Sequence, residues 1–222
     1  MSTDELKELE DYYNNLLLMG ETFFIYDCFR VGKTNDGKWV LITFLSELHD
    51  KDTEIKIPSF IQIIGKGAFT YYKGYIPKIV IPEGVEKIGK RAFMNCNLLD
   101  IRFPHTLKEI DNQAFYECYL EQLYIPNSVK SIGEMAFYGN RTLRDICLPT
   151  GVTLDFNTFE LCGDYCDKDS LRFEIRQRFF LKERRSIRYI NNWIFAFNNS
   201  PFKDLVHEYI HTYATINPRS KL

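Results

Sequence analysis

The sequence predicts a repeat solenoid: a stack of about five short β-coils, with an N-terminal helix and hairpin cap and a C-terminal α/β flank. Three observations predict it. A short apolar run closed by proline recurs five times, as Ile55-Lys56-Ile57-Pro58, Ile79-Val80-Ile81-Pro82, Ile101-Arg102-Phe103-Pro104, Leu123-Tyr124-Ile125-Pro126 and Ile146-Cys147-Leu148-Pro149. Six residues after the proline come Ile64-Gly65, Ile88-Gly89, Ile110-Asp111 and Ile132-Gly133. Ala68-Phe69, Ala92-Phe93, Ala114-Phe115 and Ala136-Phe137 then follow in phase, and the fifth block weakens to Leu154-Asp155 and Thr158-Phe159. Landmarks held in register this long mark stacked copies of one structural unit.

The first element is a helix over residues 1–20. Ser2 and Glu5 fit a capping box, Leu6, Leu9, Tyr13, Leu16 and Leu17 make an apolar face, and Gly20 ends it. Two extended runs follow, residues 22–29 and 39–45, with Asn35-Asp36-Gly37 as turn chemistry between them. Residues 1–52 are therefore expected to cap the solenoid, whose end would otherwise expose its core. A small separate binding domain is the alternative.

Residues 53–166 carry the repeats. Their prolines are spaced 24, 22, 22 and 23 residues apart, within the range of leucine-rich repeats. In each coil the alternating run is a strand with its apolar side inward, ended by a proline that cannot donate to a ladder. A second short extended piece, such as residues 85–88, returns along the other side. Gly65, Gly89 and Gly133 are expected to take a left-handed corner, with Asp111 as their substitute. Alanine permits close approach, and phenylalanine fills the space between coils. Cys96 and Cys118 lie one repeat apart and are expected to stack as buried free thiols rather than as a disulfide.

The pattern Ile-x-Ile-Pro, Val-x-x-Ile-Gly, Ala-Phe-x-x-Cys resembles the BspA-type leucine-rich repeat, most closely over residues 79–96 and 100–118. The first copy departs at residues 71–75, and the fifth lacks the Ala and Gly. Proteins of this family often act at cell surfaces by adhering to other molecules, so the resemblance implies protein binding.

Residues 167–222 form the C-terminal flank. Between residues 171 and 203 eight cations face two anions, a net of +6, interleaved with aromatics such as Phe173, Phe179, Tyr189 and Trp193. Strands with one charged face explain this pattern; single-stranded nucleic acid binding is the alternative. A terminal helix capped by Ser200 and Pro201 contains His207-Glu208-Tyr209-Ile210-His211, the letter pattern of a zinc protease. His207 and His211 would be the metal ligands and Glu208 the base. No His, Asp, Glu or Cys follows His211, and both histidines fall on the polar face of the helix. The motif therefore reads as a solvated helix face. Cys162 and Cys166 likewise have no second pair at zinc-site spacing.

Composition bounds the function. The 222 residues are 45% hydrophobic and 26% charged, as in globular proteins, and the net charge of −2 gives no general attraction to nucleic acid or acidic membranes. No run is apolar enough to span a bilayer, and the acidic N-terminus lacks the marks of a leader, which points to the cytoplasm. With no phosphate-binding loop or nucleophile elbow either, no enzyme and no cofactor is expected. The expected function is binding of another protein on the outward strand residues. Lys56, Val80, Arg102, Tyr124 and Cys147 point outward, and Asp100, Gln122 and Asp145 flank them. Arg102 and Tyr124 are the expected anchors, because Arg and Tyr are enriched at binding hot spots.

Overall fold

The computed structural model describes residues 2–49, 54–149, 152, 154–155 and 157–162. All belong to one compact unit, Met1–Ile175. Helix α1 (Thr3–Leu18) begins with the expected capping box. The Ser2 amide donates to Glu5 Oε2 at 2.6 Å, and the Glu5 amide donates to Ser2 Oγ at 3.2 Å. It ends in a Schellman turn: Gly20, at φ +87°, donates to Leu17 O, and Glu21 donates to Leu16 O. Tyr13 is buried and Leu6, Leu9 and Leu16 pack beside it, whereas Leu17 is exposed at the last turn. The Tyr13 hydroxyl ties the helix to the strands beneath, donating to Thr22 O and accepting from the Lys33 amide.

The hairpin expected after the helix is a three-stranded meander of β1 (Phe23–Tyr26), β2 (Phe29–Lys33) and β3 (Trp39–Phe44). Residues 22–29 are not one strand, because Asp27 takes φ +52° and turns the chain back into β2. Asp is among the few residues that accept that conformation.

Strand β3 continues into the repeats. It pairs in parallel with β4 (Ile63–Ile64), which pairs with β6 (Lys87–Ile88), then β8 (Glu109–Ile110) and β10 (Ser131–Ile132), making one seven-stranded sheet. In this register Leu41, Ile64, Ile88, Ile110 and Ile132 align and are all buried. The other side of the coils carries β5 (Tyr75–Val80) paired with β7 (Asn97–Arg102), and β9 (Gln122–Tyr124) paired with β11 (Asp145–Cys147). The two pairs join not by a ladder but through Tyr119 N–H to Leu98 O and Glu121 N–H to Leu99 O. The first copy departs from expectation: Ile55 and Ile57 are buried and Lys56 is exposed, but the run is not a strand.

Between the two sides runs a column of phenylalanines. Phe44, Phe69, Phe93, Phe115, Phe137 and Phe159 stack with successive centroids 5.1, 4.7, 5.0, 5.3 and 5.3 Å apart, close to the spacing of paired strands. Phe44, from β3, thus takes the place of the repeat phenylalanine. Each of the first five donates its amide to the residue before the next ring, Ala68, Ala92, Ala114, Ala136 and Thr158 in turn. The side chain at that position is buried in every copy, which is why alanine recurs there.

The corner glycines work differently from the expectation. Left-handed φ falls two residues later, at Gly67, Arg91, Gln113 and Met135, and again at Tyr71, Asn95, Glu117, Gly139 and Leu161. Gly65, Gly89 and Gly133 are small because the neighbouring coil passes over them. A Cβ would stand 2.6 Å from Leu41 O at Gly65 and 2.9 Å from Ile64 O at Gly89. Asp111 does carry a Cβ there, and its Oδ1 accepts the Asn112 amide at 2.7 Å.

A second column fixes the cysteines. Cys96 donates its thiol to Phe69 O at 2.8 Å, Cys118 to Phe93 O at 3.0 Å, and Cys162 to Phe137 O at 3.0 Å. Burial pushes Cys96 up to about 12 and Cys118 well above the ordinary thiol range, so both remain protonated donors. Cys96 and Cys118 are free and buried, as expected. Asn140 occupies the same place in the fourth coil, donating Nδ2 to Phe115 O at 2.9 Å and to Phe137 O at 2.8 Å.

The outer face of the seven-stranded sheet is zipped by charge. Glu86 is bridged by Lys38 at 2.8 Å and Lys108 at 2.7 Å, and Lys87 bridges Glu109 at 2.7 Å. Hydrogen bonds from Lys108 and Lys38 hold the Glu86 carboxyl down at about 2, from an ordinary 4.5. The stabilisation this carries is complete above pH 4.5 and is lost as the pH falls to about 2. Glu86→Gln is expected to lower the unfolding free energy at pH 7 by about 1 kcal/mol, allowing for solvent screening. Urea titrations across this range should show the wild type and the variant converging at the acid end.

A candidate binding face on the strands

The site is built from side-chain alternation along β5, β7, β9 and β11. In each, the residue aligned with Ile79, Ile101, Leu123 or Ile146 is buried, and its two neighbours face away from the core. One outward row is Val80, Arg102, Tyr124 and Cys147, all exposed, with Lys56 exposed at the same place in the first copy. Val80 is the register partner of Arg102, and Tyr124 of Cys147. The second row is Lys78, Asp100, Gln122 and Asp145, in which Lys78 pairs with Asp100 and Gln122 with Asp145. Asp100, Gln122 and Asp145 thus lie within strands rather than just before them.

The two rows differ in what holds them. Lys78 Nζ lies 3.2 Å from Asp100 Oδ2, so Asp100 is engaged by its neighbour. Tyr124 is 56% exposed, and Val80 is exposed beside Arg102. Beneath both rows, Ile79, Ile101, Leu123 and Ile146 belong to the continuous core, so the outward side chains stand on a rigid base. A planar guanidinium, a phenol, an aliphatic group and a thiol in one line offer stacking and hydrogen bonds to a partner, without the convergent acid and base that chemistry requires.

Lys78 and Tyr75 are residues that the sequence reading missed. Pro77 hid them: a proline inside a run argues against a strand, yet β5 tolerates it because no strand among the described residues pairs with its other side. Two buried isoleucines, Ile76 and Ile79, set between exposed Tyr75 and Val80 were the available signal.

His207, Glu208 and His211, the basic stretch from 171 to 203, and Cys166 lie outside the described residues. Among the described residues no three His, Cys, Asp or Glu side chains converge as a metal site would require. No helix among them is long and apolar enough to cross a membrane.

The family model described as a BspA type leucine rich repeat region matches residues 62–165, with six copies. The repeat block is a BspA-type leucine-rich repeat. That count exceeds the five proline-marked blocks by one, and the match begins beyond Pro58. Solved structures share the fold of this repeat block. A leucine-rich repeat protein from Bacteroides capillosus is 25% identical with a TM-score of 0.51, the match covering 57% of this chain and 97% of that one. A leucine rich cell surface protein from Faecalibacterium prausnitzii is 31% identical with a TM-score of 0.58, over 64% of this chain and 38% of that one. The pneumococcal vaccine antigen PcpA, 24% identical with a TM-score of 0.52, shares the fold over 64% of this chain and 37% of its own. This chain therefore spans nearly all of the first and less than two fifths of the other two. No curated protein matches the chain.

Proposed function

We propose that this chain is a non-catalytic binding protein that holds another protein on the exposed strand face of its BspA-type repeat. Arg102 and Tyr124 are the anchors, with Lys56, Val80, Asp100 and Gln122 around them. The observation that supports this most is the outward row itself, in which large side chains stand exposed on a fully packed core. Tyr, with only two side-chain torsions on a rigid base, loses little freedom when a partner covers it, which favours tight association. The repeat family supports the same reading, since a solenoid offers a long surface whose outward residues vary without disturbing its core.

Affinity capture from a native extract, followed by titration of the captured protein, tests the proposal. The Arg102→Glu, Tyr124→Ala double variant should unfold at the wild-type temperature and bind that protein at least about tenfold more weakly. Equal affinity for both forms would overturn the assignment of the face.

A further inference from the structure

We propose that a groove across the start of the strands binds an extended oligosaccharide, a site separate from the protein-binding row. The groove encloses about 520 Å³ and is lined by residues of successive coils, among them Tyr72, Asn95, Asn97, Glu117, Tyr119 and Arg141. Its layout follows from the repeat. Asn97, Tyr119 and Arg141 each directly follow the buried column of Cys96, Cys118 and Asn140, so they occupy equivalent places, and Tyr75 is the register partner of Asn97. The opposite bank is the corner row of Asn95, Glu117 and Gly139, where left-handed φ turns the chain before it enters the strand.

This row presents an amide, a phenol and a guanidinium within the groove, from Asn97, Tyr119 and Arg141, and continues past its lining to the Tyr75 phenol on the preceding coil. Tyr119 is 53% exposed and Tyr75 64% exposed, so each ring has a free face that the core does not use. A sugar ring has an apolar C–H face suited to such a ring and a rim of hydroxyls suited to amide, carboxylate and guanidinium groups. The spacing also selects the ligand. Coils repeat every 4.7–5.3 Å, as the stacked phenylalanines record, and one sugar in an extended pyranose chain advances by a similar step. An extended peptide repeats its side chains every two residues, roughly 6.8 Å, and falls out of step with the coils. The row lies about five residues, roughly 16 Å, up the strand from Val80 and Arg102, so the two surfaces can be tested apart.

The full chain should be titrated calorimetrically with cellohexaose, chitohexaose and hexagalacturonate, and then with shorter members of whichever series binds. At least one series is expected to bind, with affinity rising up to about four sugars, one per coil of the row, and then levelling. Tyr119→Ala and Asn97→Ala, checked for wild-type thermal unfolding, should each weaken binding about tenfold, while Arg102→Glu, Tyr124→Ala should leave it unchanged. No binding in any series would overturn the proposal, as would wild-type affinity in both groove variants. Loss of oligosaccharide binding in the Arg102, Tyr124 variant alone would relocate the sugar to the strand face and also overturn it.

Discussion

Phe115→Ala is expected to lower the unfolding free energy by about 3–5 kcal/mol. The ring is fully buried, stacked between Phe93 at 5.0 Å and Phe137 at 5.3 Å, and met edge-on by Phe103 at 5.7 Å. Alanine leaves a void in mid-column, where backbone bonds on both sides hold the neighbouring coils at fixed spacing and prevent collapse into it. Domains are commonly stable by only about 5–15 kcal/mol, so the thermal transition should fall sharply. Phe115→Leu should cost less, and Tyr124→Ala, on the exposed row, should change stability by no more than about 0.5 kcal/mol. A loss below about 1 kcal/mol for Phe115→Ala would mean that the column does not carry the core.

Asn140→Ala is expected to cost about 2 kcal/mol or more, because two buried backbone groups, Phe115 O and the Leu120 amide, lose their partner at about 1–3 kcal/mol each, while Phe137 O keeps the Cys162 thiol. Its Nδ2 donates to Phe115 O and Phe137 O, and its Oδ1 accepts the Leu120 amide at 3.2 Å. Cysteine stands at the equivalent place in the second, third and fifth coils and makes the carbonyl bond there. Asn140→Cys should therefore recover part of the loss, since it restores a donor without restoring the acceptor for Leu120. Urea denaturation of the three forms reads this directly. Equal stability of the alanine and cysteine variants would remove the carbonyl bonds from the account.

The repeat was legible because its cause is local and periodic. Every coil must bury the same isoleucine and the same phenylalanine, so those letters recur at fixed spacing, and the outward positions follow from alternation. Val80, Arg102 and Tyr124 stand exposed on their strands for that reason, whereas Lys56 is exposed in a run that is not a strand. What was hidden depends on contacts between coils. The glycines at 65, 89 and 133 carry the same letter for either a left-handed turn or a close approach, and only the neighbouring coil packed over them distinguishes the two. Asn140 broke the cysteine pattern in letter while preserving its hydrogen bond. Asp27 split a run that reads as continuous strand, because a single left-handed residue leaves little trace in an apolar sequence. The pairing of Lys78 with Asp100 needed the register of β5 against β7, which Pro77 masked.

The protein-binding face is tested most directly by tyrosine footprinting with and without the captured partner. Tyr124 is 56% exposed, Tyr71 57% and Tyr12 53%, so the three should iodinate comparably in the free chain. In the complex, Tyr124 is expected to lose its reactivity while Tyr12 and Tyr71 keep theirs. Undiminished labelling of Tyr124, with protection appearing elsewhere, would contradict a partner seated on the strand face.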